Sequence, residues 1–215
     1  MPSDPAPPHP RPSRTANAKG QAFKQERALR TRRLLLDAAA QAFADKGFPG
    51  VTILDIAELA DMTKGAVYFH FANKEALALA LADEFYERLD DLIDTARRTT
   101  NTPLDTVRTI LTRTATAFRD DTTIQAGARL QVERTYINAA LPTPYTAFTT
   151  TLTDLLTQAH TTGQLRPDCN PQALAHTLTS AFFGAQHISW ILHNRTDLPQ
   201  RTHDILNTTL NPNQP

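Results

Sequence analysis

The stretch Thr63-Lys64-Gly65-Ala66-Val67-Tyr68-Phe69-His70 gathers side chains suited to touching a nucleic acid. A hydroxyl, an ammonium and a residue with no side chain open it, and a phenol and an imidazole able to hydrogen-bond phosphates follow. Gly65 costs a helix roughly 1 kcal/mol relative to alanine. Such a cost makes sense where backbone must come close to a base edge; a loosely formed turn would also suit it. Other chemistries find less support. His160, His176, His187 and His193 raise the question of a metal, but His176 and His187, on one helix face, are roughly 16 Å apart along the axis, too far to share an ion. No cysteine or carboxylate cluster completes a site, no Ser or Cys sits in an elbow motif, and there is no glycine-rich phosphate loop. No metal, cofactor or catalytic residue is expected.

The elements around this stretch are helical. Thr52 and Asp55 make a capping box, and Ile53, Ile56, Ala57 and Ala60 supply the apolar face of a short helix. After the Asp61-Met62 turn, Thr63 caps a second short helix ending near Phe69. Leu29, Leu36, Ala40 and Phe43 define a preceding helix over about 25–46, which Gly47 can close in the left-handed conformation. Three helices, the last two short, have the geometry of a helix-turn-helix whose third helix enters the major groove. Charge fits this: the net charge is zero, yet Arg11, Arg14, Lys19, Lys24, Arg27, Arg30, Arg32 and Arg33 face only Glu26 within residues 11–33, leaving the rest acidic. A basic end on an acidic body is what attraction to a phosphate backbone needs. A solvated helix face would carry such a run too.

The remaining sequence continues the pattern. Asn73 caps a long helix with Leu77, Leu81, Phe85, Leu89 and Leu92 inward, and Thr102, Pro103 and Asp105 start the next. Further helices follow at about 122–137, along the stripe Tyr145, Phe148, Leu152, Leu155 and Ala159 to Gly163, from Asn170-Pro171 onward, and over about 197–210. The expected fold is all-α: a disordered proline-rich tail over 1–22, an N-terminal three-helix helix-turn-helix domain over 23–72, and a larger C-terminal helical domain over 73–215. Cys169 can form no internal disulfide, which fits a reducing cytoplasm. No apolar run reaches the roughly 20 residues a bilayer span needs, so no membrane is expected.

Thr52-Ile53-Leu54-Asp55-Ile56-Ala57, followed by the run from Met62 through Phe71-Ala72-Asn73-Lys74-Glu75, resembles the DNA-binding signature of the TetR family of repressors. The resemblance implies that Thr52, Tyr68, His70 and Lys74 contact phosphates of double-stranded operator DNA while Thr63, Lys64 and Gly65 approach bases. Where relatives usually carry glycine in the turn, this chain has Asp61, one of the few other residues that visit the left-handed region. The C-terminal part resembles a narrower group, the actinobacterial receptors for γ-butyrolactone and related furan autoregulators that govern antibiotic production. Its carriers are Phe118-Arg119-Asp120-Asp121, the run Gln125 to Gln131, Leu141-Pro142-Thr143-Pro144-Tyr145 and the run Ala181 to His187. That likeness implies a small-molecule ligand inside each subunit, with Tyr86, Gln131 and Tyr145 as polar contacts and Phe148, where tryptophan is common, as an apolar wall.

Residue chemistry alone leaves the pocket open. Tyr145, Phe148 and Leu152 are one stripe, and stripes also make core; a buried phenol and amide need partners, which a ligand or the protein itself could supply. Two recognition helices at fixed spacing require a rigid homodimer. Leu174, Leu178, Phe182, Gly184 and Ala185 are the candidate interface, forming a four-helix bundle with the partner copy. The helix from Asn73 to about Arg98, running from Lys74 to Tyr86, is the candidate lever by which ligand weakens DNA binding. A small helical enzyme acting on a lipid-like or lactone substrate in the same cavity and a helical adaptor are the alternatives. Turnover would mark the first, and absence of salt-dependent DNA binding the second.

Overall fold

The computed structural model describes the backbone of residues 14–210 and side chains from Phe23 onward. Among the described residues the fold is all-α, with no strand. The N-terminal unit comprises α1 (Arg14–Lys46), α2 (Ile53–Leu59) and α3 (Lys64–His70), followed by α4 (Lys74–Thr99). Its boundaries come from local chemistry. Gly47, at φ 76, ends α1 with its N–H on the Phe43 carbonyl, a conformation that costs glycine nothing. Thr52 and Asp55 form the capping box reciprocally. Asp61 takes φ 53 in the turn, and Thr63 and Asn73 each accept a backbone N–H from the third residue beyond.

α1 begins at Arg14, well before the expected position near 25. Residues 1–13 of the expected tail lie outside the described residues. Beyond Pro12 the sequence is rich in Ala, Gln, Lys and Arg, and extending an existing helix avoids the cost of nucleating one. Leu29, assigned to the buried stripe, is 62% exposed, because the apolar face of α1 meets its partners only from Leu35 on.

The second unit adds α5 (Pro103–Asp120), α6 (Thr122–Val132), α7 (Thr146–Thr161), α8 (Pro171–His193) and α9 (Leu198–Leu210). α6 stops short of the expected Ile137, and the chain tightens into a 3-10 turn at Arg134–Tyr136. Tyr145, expected on the inner stripe of α7, is instead its N-cap at φ 65. Pro142 and Pro144 keep the preceding residues out of the helical region, so the chain must reverse at Tyr145 itself.

Apolar burial falls into two clusters. One joins α1, α2, α3 and the start of α4; the other centres on Phe85, Phe118, Phe148 and Phe182. The first cluster also takes in Ala126, Leu130, Ile137 and Leu141, so α6 is built into the core of the N-terminal unit.

The subunit-interface assignment on α8 needs correction. Leu178 and Phe182 are fully buried within their own subunit, where the Phe182 ring meets Phe118 at 5.8 Å and Phe183 at 5.2 Å. Leu174 and Ala185 pack partly against the same core. Gly184 alone of the five faces open space. The outward face is continued by Ile188, Ile191 and Leu192, all exposed. α8 is apolar on two sides, and periodicity does not say which side meets its own subunit.

Candidate functional site

The recognition segment presents an open surface. Thr63, Lys64 and Gly65 are exposed at the N-terminus of α3. The Thr63 hydroxyl accepts from Ala66 N at 3.2 Å, leaving its proton free to donate outward. The Lys64 ammonium lies 5.8 Å from the Tyr68 ring centroid. A methyl group on Gly65 would meet only Thr63 Oγ1, at 3.8 Å, so nothing within the chain demands glycine here. Tyr68 is half-exposed, and His70 packs edge-on against Phe69, which is 81% exposed. An apolar residue in a helical stretch ordinarily reads as core, so this exposure has no mark in the sequence. Thr52 is exposed, its hydroxyl committed to Asp55.

Lys74 is also engaged within its own chain. Its Nζ donates to the carbonyl oxygens of Phe48 at 2.7 Å and Val51 at 2.8 Å, and sits 4.1 Å from the Phe48 ring centroid. Two of its three N–H groups therefore brace the α1–α2 turn. The sequence signal was ambiguous because a lysine at a helix start can reach outward or back.

The cavity lies between α4, α6, α7 and α8 and is narrow, about 40 Å³. Its walls are mainly apolar: Phe85, Leu89, Ile93, Ala128, Val132, Pro144, Ala147, Phe148 and Phe183. Tyr86, Gln131 and Tyr145 line it as expected, and Phe148 is both cavity wall and core. Three polar atoms stand out, since Tyr86 Oη, Gln131 Nε2 and Gln131 Oε1 are buried without a hydrogen-bond partner. Each such orphan costs about 1–3 kcal/mol. Burial pushes the Tyr86 phenol above its ordinary range, with the charge of Arg134 pulling the other way. Asp90 and Gln186 complete the polar lining and were missed, for nothing in their spacing sets them apart from helix surface. The Tyr145 ring rests on Phe183, with centroids 4.5 Å apart, at the cavity's edge.

Beside the cavity an ionic chain links three helices. Arg33 of α1 donates to Glu84 of α4 at 2.6 Å, Glu84 accepts from Arg88 at 2.7 Å, and Arg88 pairs with Asp121, the N-cap of α6. Burial works against the Glu84 carboxylate, yet the hydrogen bonds from Arg88 and Arg33 carry it below its usual range. At the other end of α6, Arg129 and Arg195 lie over the Trp190 ring, 5.3 and 4.9 Å from its centroid. Burial, together with the Arg129 charge, lowers the Arg195 guanidinium to about 10.

Among the described residues no group of three or more His, Cys, Asp or Glu could hold a metal ion, and no helix is long and apolar enough to cross a membrane.

Residues 35–81 match the model for bacterial regulatory proteins of the tetR family, and residues 102–212 match a tetracyclin repressor-like C-terminal domain. The A-factor receptor protein of Streptomyces griseus is 32% identical over 175 residues, 81% of this chain and 60% of that protein. A solved structure described as the molecular basis for control of antibiotic production by bacterial hormones is 46% identical, with a TM-score of 0.77 over 84% of this chain and 95% of its own. CprB of Streptomyces coelicolor, solved with its biological operator sequence, is 27% identical with a TM-score of 0.76 over 85% of this chain and 87% of its own. With a matched segment in each half and one fold running through both, the chain belongs to the TetR family of bacterial regulatory proteins.

Proposed function

We propose that the protein is a homodimeric transcriptional repressor that leaves a palindromic operator when a γ-butyrolactone- or furan-type autoregulator binds the cavity. The observation that carries this reading is the set of orphaned polar atoms on Tyr86 and Gln131 inside an otherwise apolar space. A ligand offering an acceptor, a hydroxyl donor and an alkyl chain satisfies all three and fills the apolar remainder. The exposed α3 surface with Thr63, Lys64, Gly65, Tyr68 and His70 is the DNA-contacting side, reinforced by Thr52, with Lys74 holding the geometry. A second copy packs against Gly184, Ile188, Ile191 and Leu192 of α8, setting the spacing of two α3 helices. The protein acts in the cytoplasm on secondary-metabolite genes, antibiotic genes among them.

The test is a gel shift on duplex DNA from the gene's own upstream region, repeated with a synthetic hydroxymethyl γ-butyrolactone and with culture extract. Retarded DNA released by either addition is the expected result. Failure to bind that DNA or any selected palindrome defeats the repressor reading. Turnover of the lactone would favour a helical enzyme instead, a reading no residue in the cavity supports with a nucleophile and base.

A further inference from the structure

α6 presents different faces to different parts of the molecule. Ala128 and Gln131 line the cavity, while Arg129 and Glu133 reach the end of α1. Nη1 of Arg129 donates to the Ala44 and Asp45 carbonyl oxygens, both at 2.9 Å. These belong to the last turn of α1, whose carbonyls have no helical partner of their own. Nε of Arg129 donates to Glu133 Oε1 at 2.9 Å, and Glu133 Oε2 accepts from Phe48 N at 2.6 Å. Gly47 passes beneath the pair so closely that a Cβ would lie 2.3 Å from Glu133 Oε1. The same turn is held by Lys74 at the start of α4. Cavity wall and recognition unit are therefore one short helix apart.

The packing of α6 on α4 is also tight. A Cβ on Gly127 would lie 2.3 Å from Phe85 Cβ, on the cavity wall. A group swelling the cavity between these helices has no slack to absorb it, and close-packed interiors pass such a displacement on.

We propose that Arg129 and Glu133 transmit occupancy of the cavity to the recognition helix: displacement of α6 by a bound ligand carries the Gly47 to Val51 turn with it and re-aims α2 and α3. The inference rests on the cavity being the ligand site. Arg129 and Glu133 act as positioning residues, and cutting their link leaves each site able to bind while weakening the coupling between them.

The experiment uses the full chain and a palindrome selected with it from random duplexes. Ala128→Phe fills the cavity from α6 with no ligand present. Alone it lowers operator affinity about tenfold or more, whereas in an Arg129→Met background it changes affinity less than about threefold. Equal losses in both backgrounds, or no loss from a folded Ala128→Phe, overturn the proposal; Ala128→Leu serves where the larger ring prevents folding. A second arm adds the synthetic hydroxymethyl γ-butyrolactone. Arg129→Met binds it as wild type does by calorimetry, but the drop in operator affinity it causes shrinks about tenfold. Glu133→Gln, whose amide oxygen still accepts from Phe48 N, falls between the two. An undiminished drop in Arg129→Met overturns the coupling, while a lactone that binds no variant defeats the ligand reading and leaves the Ala128→Phe result to decide.

Discussion

The ammonium of Lys74 is held by the Phe48 carbonyl at 2.7 Å and lies against the ring of the same residue. This fixes the first residue of α4 to the turn that follows α1. A charged hydrogen bond of this kind contributes about 1.5–3 kcal/mol, so Lys74→Met lowers the melting temperature and weakens binding to operator and random DNA alike. The slope of log affinity against log salt separates the roles. A brace leaves it unchanged, whereas loss of a phosphate contact reduces it by about 0.9.

Tyr86→Phe and Gln131→Leu remove buried polar atoms that lack a hydrogen-bond partner within the chain. Without ligand, each variant is as stable as wild type or more so, by up to about 1–3 kcal/mol in thermal melts. Ligand affinity moves the opposite way, falling about tenfold or more by calorimetry. Destabilisation of both empty variants would show that the protein itself satisfies these groups.

Two glycines give opposite results on substitution by alanine. Gly127→Ala drives a Cβ into Phe85 and costs about 1–3 kcal/mol. Gly65→Ala meets open space and gains up to about 1 kcal/mol of helix propensity. If α3 reads bases as proposed, operator affinity nevertheless drops for Gly65→Ala, since the added methyl stands on the face offered to a base edge. A more stable variant with undiminished operator affinity would remove Gly65 from the contact surface.

Ile191→Glu places a charge on the outward face of α8 and yields monomers by analytical ultracentrifugation, with loss of operator binding. Leu178→Ala acts inside the subunit, costing about 2–5 kcal/mol in stability. Dimers that survive Ile191→Glu would move the interface elsewhere.

Acid weakens the ionic chain at Glu84. Against the cost of burial, hydrogen bonds from Arg88 and Arg33 hold its carboxyl below its ordinary value in the folded protein. The stability it supplies is therefore present above that value and lost as pH falls through the depressed one. Glu84→Gln lowers stability at neutral pH and flattens the decline below about pH 4.5 in pH-dependent melts.

Side-chain-capped helix starts were the most legible part of the sequence, because capping is local chemistry: Thr52, Thr63, Asn73, Thr102 and Asn170 all cap where their side chains predict. Choices between two apolar surroundings were hidden. Leu178 and Phe182 share a helix with Ile188 and Ile191, and only tertiary packing decides which pair turns inward. The reach of a long side chain was equally hidden, so Lys74 and Arg129 bind carbonyls whose position depends on the turn after α1. Cavity residues such as Phe85 and Asp90 carry no local mark, since a cavity is made by the distance between helices.

The placement of Ala126 and Leu130 in the same core as Leu35 and Phe43 bears on how such proteins can be recombined. A chimera cut at residue 72 would seat a foreign α6 on an α1 that never evolved beside it, exposing apolar groups at the junction. Biosensors with a new operator preference therefore need α1 and α6 kept from one parent, with only the exposed side chains of α3 exchanged.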